Sequence, residues 1–242
     1  MDLDVAIVLP ARNEGASIAK TVSRLVETLD SKSVSANLIV VLDGPDPAAK
    51  QAIERLNLTT VQILELTYSV GKGAALRFGC KEKKSKFTAF FDSDLDIHPN
   101  SLVNCYNVIG SSSAQVVCAY GSKHHIESQL SYPILRRFGS RVFHYLVQLL
   151  FNIRCNDTQT GVKVFRTNEL LNVIDQTRED RFLFDLELLV LLGKVGGRFV
   201  EAPVEITYQY SSTINLISAT QMLIDVFRMR ARLARQPRHV GS

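Results

Sequence analysis

Three observations predict an α/β chain built on a parallel sheet with helices over both faces. Short β-branched runs alternate with segments of helical period through the first 100 residues. The runs are continuously apolar, as in strands buried on both sides, and do not alternate as a half-exposed strand would. Each run also stops at polar or glycine residues. The order is regular: "VAIVLP" (5–10) reads as strand, 15–30 as helix, "ANLIVVLDG" (36–44) as strand and 46–56 as helix. "VQILEL" (61–66) is a strand, 71–83 a helix and "FTAFFDSD" (87–94) a strand, which together make a Rossmann-like half.

After Pro99 the pattern loosens. Residues 100–110 read as helix, "AQVVCAYGSK" (114–123) as strand and 133–152 as a long amphipathic helix with arginines near its start. "CNDTQTGVKVFR" (155–166) is a turn into a short strand, 181–196 a buried-looking helix and 197–210 a closing strand. With neither an internal repeat nor a low-complexity linker, the chain divides into one domain, 1–211, and a basic C-terminal helix and tail, 212–242.

Composition excludes several classes. A chain of 242 residues with 46% hydrophobic content has ample core for one globular domain. The start, "MDLDVAIVLPARNE", lacks the basic region and cleavage site of a signal peptide, so residence in the cytosol is expected. Cys80, Cys105, Cys118 and Cys155 are widely spaced and read as reduced packing residues. No apolar run reaches the roughly 18–20 residues of a spanning helix. The net charge is +4, but Arg228, Arg230, Arg232, Arg235 and Arg238 close the chain without an acid, which points to an anionic partner. No aromatic-interleaved basic stripe supports nucleic acid.

Ligands of parallel sheets collect beyond the carboxyl ends of the strands. Here the first strand ends in Arg12, Asn13 and Glu14, the second in Asp43 and Gly44, the third leads to Gly71, Lys72 and Gly73, and the fourth ends in aspartates. Loops are polar in any case, so this convergence suggests a site without defining it. Lys72 between two glycines at a helix start suits a phosphate contact or a plain helix start, and the spacing is not that of a Walker A loop. In "FFDSDLDIHP" (90–99), Asp92, Asp94 and Asp96 at alternate positions of an extended segment share one side and repel, unless a cation such as Mg²⁺ or Mn²⁺ lies between them. A solvated acidic turn is the alternative. "NDTQTGVKVF" (156–165) offers Asp157, Gln159 and Lys163 to a cleft or to a hairpin turn, and Asp185 and Glu187 interrupt an apolar helix, where buried acids need partners. His124 and His125 point differently and read as loop residues.

Taken in order, "VLPARNE", "VVLDG", "GKGAAL", "FFDSDLD", "NDTQTGVKVF" and "FDLELL" resemble the family 2 glycosyltransferases of the GT-A fold, a mixed, mainly parallel sheet flanked by helices. Within them the chain is similar to the polyprenyl-phosphate sugar synthases, dolichyl-phosphate β-glucosyltransferases above all, through "YGSK", "LRRFGSRVFHYLV" and "FLFDLELL". The resemblance implies that Pro10, Arg12, Glu14 and Asp43 hold the base and ribose of a nucleotide sugar, with Lys72 nearby. Asp92, Asp94 and Asp96 would form the donor and metal cluster for Mg²⁺ or Mn²⁺. Lys123, Arg136 and Ser140, with Arg141 adjacent, would grip the lipid phosphate, and Asp157, Gln159 and Lys163 would line the sugar subsite.

Two departures stand out: Lys123 occupies a position where relatives often carry arginine, and the spanning segments of many relatives are missing. Arg228, Arg232 and Arg235, at i, i+4 and i+7 and partly opposite Leu223, Val226 and Phe227, suit a helix lying on the cytoplasmic face of a membrane or one packed on the core. The expected reaction is an inverting transfer of a hexose, glucose from UDP-glucose before mannose from GDP-mannose, to a polyprenyl phosphate. That acceptor is already anionic and needs no strong base. A hydroxyl acceptor would need one, Asp157 or Asp185. A nucleotide-sugar-binding scaffold subunit is the non-enzymatic alternative.

Overall fold

The computed structural model describes residues 5–82, 85–131, 145–181, 183–207 and 216–235. The first half follows the expected alternation: β1 (Val5–Ala11), α1 (Ile18–Ser31), β2 (Ala36–Leu42), α2 (Pro47–Glu54), β3 (Val61–Glu65), α3 (Lys72–Gly79), β4 (Phe87–Phe91) and α4 (Asn100–Ser111). Then come β5 (Val116–Ser122), β6 (Gln129–Ser131), helical residues 145–151 (α5), β7 (Val162–Arg166), α6 (Thr167–Ile174), α7 (Phe184–Lys194), β8 (Arg198–Pro203), β9 (Glu205–Thr207) and α8 (Leu216–Arg235).

Seven strands form one sheet in the order β3-β2-β1-β4-β7-β5-β8. All neighbours are parallel except β7, which runs antiparallel between β4 and β5. The sheet is therefore mixed and mainly parallel. The closing strand expected over 197–210 is divided: β8 stays on this sheet beside β5, while β9 pairs with β6 in a separate two-stranded sheet.

Strand side chains alternate between two cores, as the period of two requires. Val5, Ile7 and Leu9 of β1 pack with α1, α2 and α4, through residues such as Val22, Leu25, Ile53 and Leu102. Ala6 and Val8 face the other way, toward Leu76 of α3, Leu170 of α6, Leu188 of α7 and Val226, Met229 and Leu233 of α8. α7 is apolar on nearly every side because it lies inside this second layer, and Phe184 through Leu192 are all buried. The four cysteines are buried free thiols, and burial pushes Cys105 and Cys155 up to about 12, so they are packing residues. His124 and His125 lie in the turn after β5, as expected of loop residues. Among the described residues no helix is long and apolar enough to cross a membrane.

Candidate active site

Strand order reverses at β1, whose neighbours are β2 and β4, and a crevice opens there. β1 pairs with β2 through Ala11, but its pairing with β4 stops at Val8. Pro10 sits just past that point, where its missing N–H takes no ladder bond from the β4 side. A cleft of about 580 Å³ follows, lined by Pro10, Arg12, Glu14, Asp43, Lys72, Asp92, Asp94, Gln159 and Asp185 among others. Nine of the residues expected from the sequence thus meet in one cavity.

The loops holding them are bonded to one another. Asp46 caps α2 by accepting from Ala49 N–H (3.0 Å), and its other oxygen accepts from Gly15 N–H (3.0 Å), joining the β1 and β2 loops. Asp43 is nearly buried; one carboxylate oxygen accepts from the N–H groups of Val70 (2.7 Å) and Gly71 (3.1 Å), the other from the Ser69 hydroxyl (3.1 Å). Its first task is therefore to shape the loop ahead of α3. Gly71, at φ 140°, takes a backbone conformation that side-chain-bearing residues rarely adopt and delivers Lys72 as the first residue of α3.

Lys72 Nζ lies 2.6 Å from Asp92 and 3.5 Å from Asp185. Asp185 also binds Lys163 at 2.7 Å, and Lys163 donates to the Thr160 carbonyl at 2.6 Å. Burial alone lowers the Lys72 pKa, but Asp185 and Asp92 outweigh it and the net shift is upward. For Asp185 burial opposes ionisation, and Lys163 and Lys72 reverse that, holding the carboxyl below its ordinary range. Asp94 is exposed at the cleft, yet enough protein surrounds it that desolvation lifts its pKa to about 6, Asp92 adding to the effect, Asp96 N–H opposing it, and Asp96 and Glu14 raising it further.

Several sequence expectations need correction. The aspartates do not lie on one side of an extended strand: β4 ends at Phe91, Leu95 turns at φ 57°, and Asp96 N–H donates to Asp94 (3.1 Å). Among the described residues no three acidic, imidazole or thiol groups converge as metal ligands, because Asp92 has turned to Lys72. Of the expected three, Asp92 and Asp94 line the cleft, Asp92 paired with Lys72, and Asp96 is absent from its wall. Lys163 does not line a sugar subsite; at 1% exposure it lies under the cleft as the counter-ion of Asp185. Asp157 is also buried, accepting from Lys123 N–H (3.2 Å) with Lys123 Nζ at 3.5 Å, and is not in the cleft wall. Arg136, Ser140 and Arg141 lie outside the described residues. Arg232, for which the sequence left a membrane-facing or a core-packed helix open, pairs with Glu179 and Glu187.

Two wall residues escaped the sequence reading. Ser93 donates to Glu14 (2.8 Å) and its carbonyl accepts from Thr21 (2.7 Å), fastening the aspartate turn to α1. Arg181 enters from the loop before α7; a cation just ahead of "FLFDLELL" was the available signal. Gln159, in the cleft wall, carries a buried side-chain N–H₂ with no partner among the described residues.

Gly161 has no room for a side chain, since a Cβ there would overlap the Asp92 carboxylate. Gly161→Ala is therefore expected to push Asp92 off Lys72 and lower kcat/KM ~10²-fold, as displacements near 1 Å do. Steady-state kinetics beside a thermal melt separates this from simple unfolding.

The fold is that of the GT-A glycosyltransferases. Glucosyl-3-phosphoglycerate synthase of Mycobacterium tuberculosis, solved with UDP, superposes with a TM-score of 0.71 over 95% of this chain and 80% of that one at 14% identity. Mannosyl-3-phosphoglycerate synthase of Rubrobacter xylanophilus gives 0.66 over 99% and 78%, also at 14% identity. The model of glycosyl transferase family 2 matches residues 6–170, and the chain belongs to that family. Similar sequences include the dolichyl-phosphate beta-glucosyltransferase of Dictyostelium discoideum, 27% identical over 94% of this chain and 74% of its own length. Glycosyltransferase AglD of Haloferax volcanii is 27% identical over 89% of this chain, which spans only 35% of that relative.

Proposed function

We propose that the protein transfers glucose, with inversion, from UDP-glucose to a polyprenyl phosphate. The observation that carries this reading is the cleft at the sheet's switch point, where a lysine held between two carboxylates faces Asp94 and the unpartnered Gln159 amide. Relatives named for dolichyl phosphate and glucose favour the lipid acceptor and that sugar. A phosphate monoester attacks without a strong base, and the two candidate bases are both engaged, Asp185 by two lysines and Asp157 by Lys123.

Asp94, lifted by desolvation and then by the acids Asp92, Asp96 and Glu14 near it, is a carboxylate whose surroundings fit a divalent cation. Solved neighbours hold Mn²⁺ or Mg²⁺ with UDP. Asp94, aided by Asp96 or Asp92, would hold Mg²⁺ or Mn²⁺, which when bound offsets negative charge on the departing diphosphate. Pro10, Arg12 and Glu14 flank the nucleoside, Gln159 faces the sugar, and Lys123, Arg136, Ser140 and Arg141 receive the acceptor phosphate. On α8, Val226, Met229 and Leu233 are buried while Leu223, Ile224 and Phe227 are exposed beside Arg228. That outer face supports a peripheral position on the cytoplasmic side of a membrane, where the lipid resides.

The test is nucleotide release from UDP-glucose and GDP-mannose, with Mg²⁺ or Mn²⁺, with and without a short polyprenyl phosphate. UDP release stimulated by the lipid and lost with chelator is expected. Arg136→Ala should abolish the stimulation and spare slow hydrolysis of the donor. Release indifferent to the lipid would redirect the search to hydroxyl acceptors, and no release under any condition would favour a binding subunit.

A further inference from the structure

Asp185 and Glu187 stand two residues apart in α7, so their side chains leave the helix roughly 200° apart. The first serves the cleft. The second is fully buried on the opposite side. One Glu187 oxygen accepts from the backbone N–H groups of Arg178 (2.7 Å) and Glu179 (2.8 Å); the other accepts from Arg232 Nη2 of α8 (2.7 Å). The same Nη2 reaches Glu179 Oε1 at 2.8 Å. One guanidinium thus joins the C-terminal helix to α7 and to the α6–α7 loop.

That loop touches the other end of the chemistry. The Asp180 carbonyl accepts from Gly73 N–H at 2.8 Å, in the first turn of α3. Arg77 of α3 donates to the Glu179 carbonyl (2.9 Å) and pairs with the Asp180 carboxylate. A Cβ at Gly71 would collide with the Asp180 carbonyl, so loop and helix start are in direct contact. The next loop residue, Arg181, lines the cleft. Without Arg232, the buried Glu187 loses the one side-chain cation it has among the described residues, and the loop keeps its bonds to α3 but loses its tie to α8.

We propose that Arg232 is a positioning residue for donor binding: through Glu179 and Glu187 it holds the α6–α7 loop on the start of α3, fixing Lys72 and Arg181 around the donor diphosphate. The proposal rests on the cleft being the nucleotide-sugar site. It makes one guanidinium of α8, a helix with no described residue in the cleft wall, a determinant of donor affinity through its two carboxylate contacts and not through helix packing in general.

The experiment compares wild type, Arg232→Ala, Arg232→Lys and Val226→Ala, the last weakening α8 packing at a buried apolar site while keeping the Arg232 guanidinium. Backbone hydrogen exchange at Gly73 and 178–181 and UDP binding by calorimetry are measured on each full chain. Arg232→Ala is expected to speed exchange at those amides and weaken UDP binding about tenfold, within the usual range of coupling between sites. Arg232→Lys should fall between, since the ammonium keeps the positive charge but is a point charge on a differently shaped side chain and does not reproduce the Nη2 position that serves both carboxylates; it also supplies the comparison should the alanine variant fail to fold. Val226→Ala should lower the melting temperature and move neither readout. Wild-type exchange and affinity in the Arg232 variants, or equal losses in Val226→Ala, would overturn the proposal. Faster exchange in the Arg232 variants with no UDP or GDP binding by the wild type would uphold the clamp and overturn the nucleotide reading of the cleft.

Discussion

Asp94→Asn is expected to lower kcat/KM for sugar transfer by a factor of ~10²–10³, the scale on which one aligned electrostatic group in a closed site acts. The substitution is nearly isosteric. An asparagine oxygen still accepts the bond from Asp96 N–H, and Leu95 still makes the left-handed turn, so the strand end keeps its shape. What disappears is the negative charge that the cleft strains to accommodate. Asp94 lines the cleft without being engaged by Lys72, and desolvation, with Asp92, Asp96 and Glu14 adding to it, raises its pKa. The check is the initial rate as a function of Mn²⁺ and Mg²⁺ concentration. A rate within threefold of wild type at saturating metal would remove Asp94 from the reaction and leave the turn as a structural feature. Asp96→Asn is the informative companion, because Asp96 is absent from the cleft wall and should lose far less.

That contrast also marks what the sequence could and could not disclose. The βα half was legible because its strands are buried on both faces and so read as unbroken apolar runs, and because every loop that reaches the rim is polar. The position of β7 was not legible. "VKVFR" looks like any short strand, and nothing local announces that it fills the gap between β4 and β5 antiparallel to both. The same gap hides Lys163: a lysine in alternation with valines suggests a polar face, yet that face points under the cleft, where Asp185 neutralises it. Likewise, alternate aspartates suggested a shared side, but one residue in the left-handed region breaks the period of two. Pairings such as Lys72 with Asp92 and Arg232 with Glu187 span 20 and 45 residues, and no local pattern announces them. α6, which follows β7 without a connecting loop, left no cap signal in the sequence.

The pair beneath the cleft supports the second large effect. Asp185→Ala strands Lys163 at 1% exposure, with the Thr160 carbonyl as its remaining hydrogen-bond partner among the described residues. Breaking a buried pair from one side costs about 3–5 kcal/mol, which for a chain of this size lowers the melting temperature by about 10 °C. Acid should reveal the same interaction. The folded pKa of Asp185 lies below its ordinary 3.8, so its stabilisation is complete above that value and is lost as pH falls through the lower, folded one; the variant should lack this part of the acid limb. A double variant, Lys163→Met with Asp185→Leu, removes both charges in similar volume and should recover most of the lost stability, because a buried ion pair seldom outperforms apolar packing. Activity should not recover. Lys72 would then face Asp92 alone, without the second carboxylate that centres it, and kcat/KM should stay at least tenfold down while the melt returns. If activity returned along with stability, Asp185 would be a packing residue only, and the arrangement of Lys72 between two acids would have no part in holding the donor.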